Sequence, residues 1–92
     1  MVRVSTYLVE HYLPGLAAAE RAADVARVLS VHDALAALGA VHISSVIVDT
    51  DEMCMHLFTA DTEATVVTAH TRTGLPCDRI VEVSVHLPGD AP

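Results

Sequence analysis

Between Pro14-Gly15 and Gly39 lies a stretch, Leu16 to Leu38, that contains neither Pro nor Gly and is rich in Ala. Freedom from both breakers over that length predicts helix, and glycine is the residue that most often ends one. Apolar residues recur at Val25, Leu29 and Ala36 and at Val28, Val31, Leu35 and Leu38, which describes a wide helical face. Such a face must be buried against another element. Within the stretch, Ser30-Val31-His32-Asp33 has the form of a capping box, so a kink or split is expected near Ser30.

The flanking segments supply a sheet for that face. Val4 to Leu13 alternates, is rich in Val, Tyr and Thr, and stops at Pro14-Gly15, as a strand followed by a turn does. Val41 to Val48 and Met53 to Ala60 are apolar and strand-like, with the polar Asp49-Thr50-Asp51-Glu52 between them as a hairpin turn. Asp61 offers a cap for a second helix over Thr62 to Thr73, which Gly74-Leu75-Pro76 terminates. Arg79 to Leu87 alternates again as a final strand, and 88–92 is a short tail expected to fray. The order βαββαβ, with no repeat or linker, predicts one α+β domain over residues 1–92, a two-layer sandwich with both helices on one face of the sheet.

The second sheet face is then left without a layer. Alternation in the last strand is expected to turn Val81, Val83 and Val85 toward the helices, leaving Ile80, Glu82, Ser84 and His86 opposite. In the first strand, Tyr7, Val9 and His11 share one side and Leu8, Glu10 and Tyr12 the other. An open face bearing Leu8, Tyr12 and Ile80 beside Glu10 and Glu82 reads as an interface, so a homodimer pairing through that face is expected. Size argues the same way. A chain of 92 residues built on Val, Leu, Ile and Ala, with two Tyr, one Phe and no Trp, has a thin core.

A formal charge of −7, with five scattered arginines as the only basic Lys or Arg residues, excludes a nucleic-acid partner. No charge-free run is long enough to span a bilayer and the start has no cleavable apolar segment, so no membrane partner and a cytoplasmic location are expected. Cys54 and Cys77 form no C-x-x-C pair and are expected to be buried free thiols. Six histidines and twelve acidic residues are a rich stock of nitrogen and oxygen ligands for a transition metal.

Two blocks of residues carry a family resemblance: Tyr7-Leu8-Val9-Glu10-His11-Tyr12-Leu13-Pro14-Gly15 near the start, and Gly74-Leu75-Pro76-Cys77-Asp78-Arg79-Ile80-Val81-Glu82-Val83 near the end. The chain resembles the small ferredoxin-like domains, formerly of unknown function, that include a nickel-binding, nickel-responsive protein of actinobacteria. The resemblance covers nearly the whole chain and implies a ferredoxin-like homodimer that binds divalent nickel, with no firmly assigned enzymatic activity. It departs from the pattern at four positions. His11 stands where the family usually has Arg, His56 where it often has Cys, His70 where it often has Asn, and Cys77 where it often has Phe.

The metal-ligand candidates are Glu10, His11, His56, Glu82 and His86. Glu10 and Glu82 are placed on neighbouring strands and one face, where two carboxylates can hold a cation or share a proton; the structural alternative pairs each with an arginine such as Arg79 or Arg3. His56, inside an apolar strand, completes that site if its parity agrees, since nickel takes imidazole with carboxylate. Otherwise it is a core histidine bonded to Ser44 or Ser45. His86 shares a face with Glu82, whereas His11 cannot point with Glu10, its neighbour in the strand. His32, His42 and His70 are read as structural. No phosphate-cradling loop, nucleophile elbow or Cys-His signature is present. The leading reading is a non-enzymatic nickel protein. The alternatives are a dimeric α/β-barrel enzyme or small-molecule carrier using Glu10, Glu82 and His56, and a plain interaction module.

Overall fold

The computed structural model describes residues 4–15 and 17–89. Arg3, offered above as a partner for a glutamate, Leu16, placed at the helix start, and 90–92 of the tail lie outside the described residues. The elements run β1 (Ser5–Tyr12), α1 (Ala18–Ser30), α2 (His32–Ala37), β2 (Val41–Val48), a 3₁₀ turn (Asp49–Asp51), β3 (Met53–Ala60), α3 (Glu63–Thr73) and β4 (Arg79–Val83). The result is a small α+β domain with one four-stranded antiparallel sheet in the order β2-β3-β1-β4 and three helices.

The long helical stretch does split, at Val31. The expected cap is not the cause: Ser30 Oγ donates back to the Arg27 carbonyl, and Val31 caps α2 through its backbone alone. At the start of α1 the Glu20 carboxylate accepts from the Ala17 amide at 3.0 Å, satisfying one of the helix's orphan donors. Thr62, not Asp61, caps α3, its hydroxyl accepting from the Thr65 amide. The hairpin between β2 and β3 closes through Glu52 in the left-handed region, φ 51°.

Tyr7, Val9, Val28, Leu35, Phe58, Val66 and Ala69 form the core between sheet and helices. Cross-strand partners point to the same side of a sheet, so the register sorts the faces. Tyr7 opposes Phe58, Val9 opposes His56 and His11 opposes Cys54, all on the helix side. Leu8 opposes Leu57 and Glu10 opposes Met55 on the open side.

The register of β4 overturns the face expected for it. Ile80 pairs with Val9 and Glu82 with Tyr7, while Val81 pairs with Leu8 and Arg79 with Glu10. Ile80 and Glu82 therefore look to the helix side, and Val81 and Val83 join Leu8 and Glu10 on the open face. A valine run fits either pleat face, and Ile80, the larger side chain, takes the core side, where it packs against the core cluster. The helices lie mainly over β2 and β3, so Glu82, on the uncovered flank of that side, is exposed. The strand ends at Val83, leaving Ser84 to Leu87 off the sheet.

One irregularity in β2 matters for the site. Between His42, opposite Phe58, and Ser44, opposite Leu57, the ladder slips by one residue, and Ile43 takes no place in it. A bulge of this kind reverses the pleat beyond it. His42 and Ser45, three residues apart, would face opposite ways in a regular strand. Here both face the helices.

Candidate functional site

The five candidate ligands do not converge. Glu10 is only 7 % exposed and sits on the open face, where it accepts from Arg79 at 3.0 Å, the structural alternative anticipated for it. Glu82 is on the other face, so the expected pair of carboxylates does not form. His56 is on the helix face with neither Glu10 nor Glu82 as a hydrogen-bonding partner, so the three-residue site fails on parity. His86 is exposed beyond the end of β4, bonded to Ser84.

What does converge on the helix face is a network centred on Asp24 of α1, a residue absent from the sequence-based candidates. Asp24 is 2 % exposed. His11 Nδ1 lies 2.9 Å from its Oδ1 and His56 Nε2 lies 2.9 Å from its Oδ2, and Arg27 donates to Oδ1 at 3.3 Å. Burial by itself pushes the Asp24 carboxyl upward, yet the hydrogen bonds and charges of His56 and His11 prevail and hold it below the usual carboxylate value. An ionised carboxylate only accepts, so both imidazoles present N–H to it.

That choice propagates. In the His56 tautomer with its proton on Nε2, Nδ1 is bare and accepts from Ser45 Oγ at 2.7 Å; Ser45 Oγ in turn accepts from His42 Nε2 at 2.8 Å. Burial, seconded by His56, lowers the His42 pKa and favours its neutral ring. Every polar atom along the line from His42 through Ser45 and His56 to Asp24 therefore has a partner. The expectation of a serine partner for His56 across the hairpin holds at Ser45.

Two further groups complete the surroundings. The Cys54 thiol donates to the Arg21 carbonyl at 3.4 Å, and burial together with the Asp24 charge pushes it up to about 11, so it is a thiol and not a thiolate at neutral pH. His70 donates from Nδ1 to the Val66 carbonyl and sets its ring against Phe58, edge to face at 4.9 Å, while its buried Nε2 has no partner among the described residues.

The donor chemistry of His11, Asp24 and His56 suits a divalent ion, but the arrangement does not. Each imidazole hydrogen-bonds a different oxygen of one carboxylate, and among the described residues no three His, Cys, Asp or Glu side chains are grouped to hold a metal. A metal entering here would have to displace hydrogen bonds that already satisfy the cluster. A cleft of about 400 Å³ is lined by Val4, Leu38, Val41, Ala60 and Asp61. It lies at the end of β3 away from Cys54 and brings no convergent polar groups together.

Asp24 carried a legible signal. It stands three residues after Arg21 and four before Val28, on the stripe that α1 buries, so a carboxylate was due inside the fold. Leu29, assigned to the apolar face, is instead 53 % exposed.

A family model described as nickel responsive protein SCO4226-like matches residues 7–83. Comparison with curated proteins and with solved structures gives no match.

Proposed function

The chain belongs to the SCO4226-like family of nickel responsive proteins, and we propose that it binds divalent nickel to buffer the metal or respond to it, with no reaction carried out at the metal. The family match carries this reading. The ligand-rich composition supports it, because nickel accepts imidazole with carboxylate oxygen. Among the candidates, Glu10 is held by Arg79 and His11 and His56 by Asp24, whereas Glu82 and His86 are exposed and keep their donors at the surface.

We read the protein as a homodimer of ferredoxin-like subunits. Support comes from the strand order, from helices packed on one side of the sheet, and from an open face bearing Leu8, Leu57, Val81 and Val83. No helix among the described residues is long and apolar enough to cross a membrane, and the two free thiols, Cys54 and Cys77, support a reducing, cytoplasmic setting.

Calorimetric titration of the metal-free protein with nickel at neutral pH tests the reading. Heat of binding is expected, with a large loss in a Glu82→Gln, His86→Ala double variant. Absence of heat above the buffer control at metal concentrations on the order of tens of micromolar overturns it. Sedimentation tests the assembly: Leu8→Glu is expected to give a folded monomer, and a stable monomer for the unmodified protein at micromolar concentration refutes the pairing.

A further inference from the structure

The metal reading makes no use of the line Ser45, His56, Asp24. His56 bridges the other two, with Nδ1 at 2.7 Å from the Ser45 hydroxyl and Nε2 at 2.9 Å from the Asp24 carboxylate. A bare ring nitrogen within reach of a hydroxyl, its other nitrogen held by a buried carboxylate, is the arrangement that turns serine into a nucleophile. The serine sits on Nδ1 and the carboxylate on Nε2. The imidazole transmits the carboxylate's pull through the ring in either sense.

We propose that Ser45 is the nucleophile of an acyl-transfer site, with His56 as its base and Asp24 as the positioning residue, that takes small carboxylic esters with a short apolar acyl group. Three observations besides the hydrogen bonds carry it. The bulge at Ile43 is what turns both His42 and Ser45 to the helix side, and bulges that re-aim side chains recur beside active sites. Ser45 is half-buried on an edge strand, so a substrate can approach it, and backbone groups along the outer edge of β2 have no strand beyond them among the described residues. Ile47, two residues along on the same face and 38 % exposed, offers an apolar shelf for a short acyl chain.

In the step, Ser45 Oγ forms a bond to the ester carbonyl carbon as its proton passes to His56 Nδ1. The second Oγ lone pair stays with the His42 N–H. Collapse of the tetrahedral adduct breaks the bond to the alcohol oxygen, which leaves with the proton from His56. Water then attacks the acyl-serine, giving its proton to His56 Nδ1, and the carboxylic acid departs as Ser45 Oγ recovers that proton. No oxidant or metal enters the balance.

The chain carries its own control. Ser44 is exposed, adjacent and on the opposite sheet face. The full chain is incubated with p-nitrophenyl acetate, release of nitrophenol is followed, and acetylated residues are located by peptide mass spectrometry. Acetylation of Ser45 is expected to exceed that of Ser44 by about a hundredfold or more, the range a positioned base contributes. Ser45→Ala should abolish the catalysed rate in a chain that circular dichroism shows still folded at the assay temperature, with a lower midpoint because His42 and His56 each lose a partner. Asp24→Asn should lower kcat by at least about tenfold with little change in KM and shift the midpoint of the rate–pH profile, which a purely structural role would leave in place. Equal labelling of Ser44 and Ser45, or an undiminished rate in Ser45→Ala, overturns the proposal. Neither result bears on nickel, since Glu82 and His86 stand outside this cluster.

Discussion

Replacing Asp24 by alanine should be the most destabilising single change on the polar side of this fold. The carboxylate is 2 % exposed and accepts from His11, His56 and Arg27. The three partners do not lose equally. Arg27, with its side chain 53 % exposed, regains water at once, and His11, at 14 %, does so in part. His56, at 3 %, cannot, and its Nε2 donor is stranded. A stranded buried donor costs about 1–3 kcal/mol. A domain of this length holds only about 5–14 kcal/mol in total. At about 4–8 °C per kcal/mol, the thermal midpoint should fall by at least about 4 °C. Thermal and urea unfolding monitored by circular dichroism measure the loss. Asp24→Asn, which keeps the shape and one acceptor oxygen, should lose less. The native carboxyl is held below its ordinary value of 3.8, so its stabilisation is complete above that pH and lost as pH falls through the lowered value. Asp24→Asn should therefore flatten the acid limb of the stability curve. A loss below about 1 kcal/mol in Asp24→Ala would show that water reaches His56 and that the network contributes no more than a surface ion pair does.

Burial lowers the His70 pKa from 6.5, so the unfolded chain takes up the proton first and stability should decline as pH falls below 6.5; His70→Leu should reduce that decline in melts collected between neutral and mildly acidic pH. Gly39 has φ +96° and a Cβ there would meet Thr65 Cγ2 at 2.9 Å, so Gly39→Ala should cost about 1–2 kcal/mol in urea melts, and an unchanged midpoint would contradict the backbone reading. Iodoacetamide at neutral pH should alkylate half-buried Cys77 well before Cys54, which is fully buried with its thiol pushed up to about 11; equal rates by peptide mapping would mean that the Asp24 pocket opens.

The strands β2 and β3 were legible to the residue, because apolar β-branched runs bounded by Gly39, the acidic turn and Asp61 have few other ways to fold. The break near Ser30 was legible too, as was the end of α3 at Gly74, whereas its start was placed one residue early with Asp61 instead of Thr62 as the cap. These are local effects of capping, breakers and periodicity, written in neighbouring residues. Glu10 was expected to meet an arginine or a second glutamate, and only the pairing of β1 with β4 decided for Arg79. The face of β4 was not legible, since valines at alternate positions suit either side of a sheet and a register shift of one residue exchanges them. Nor was the bulge at Ile43, which rests on how β2 meets β3 and not on any turn residue within β2. The Asp24 network depended on the bulge for its reach to Ser45 and His42. Its members come from β1, α1, β2 and β3, and a helix stripe shows that Asp24 points inward without showing which imidazoles wait there. The sequence by itself determined the elements and their order, though not the face that β4 turns inward. Tertiary structure alone decided which polar groups meet, because strand register and the seating of a helix on a sheet are settled by packing between residues far apart in the chain.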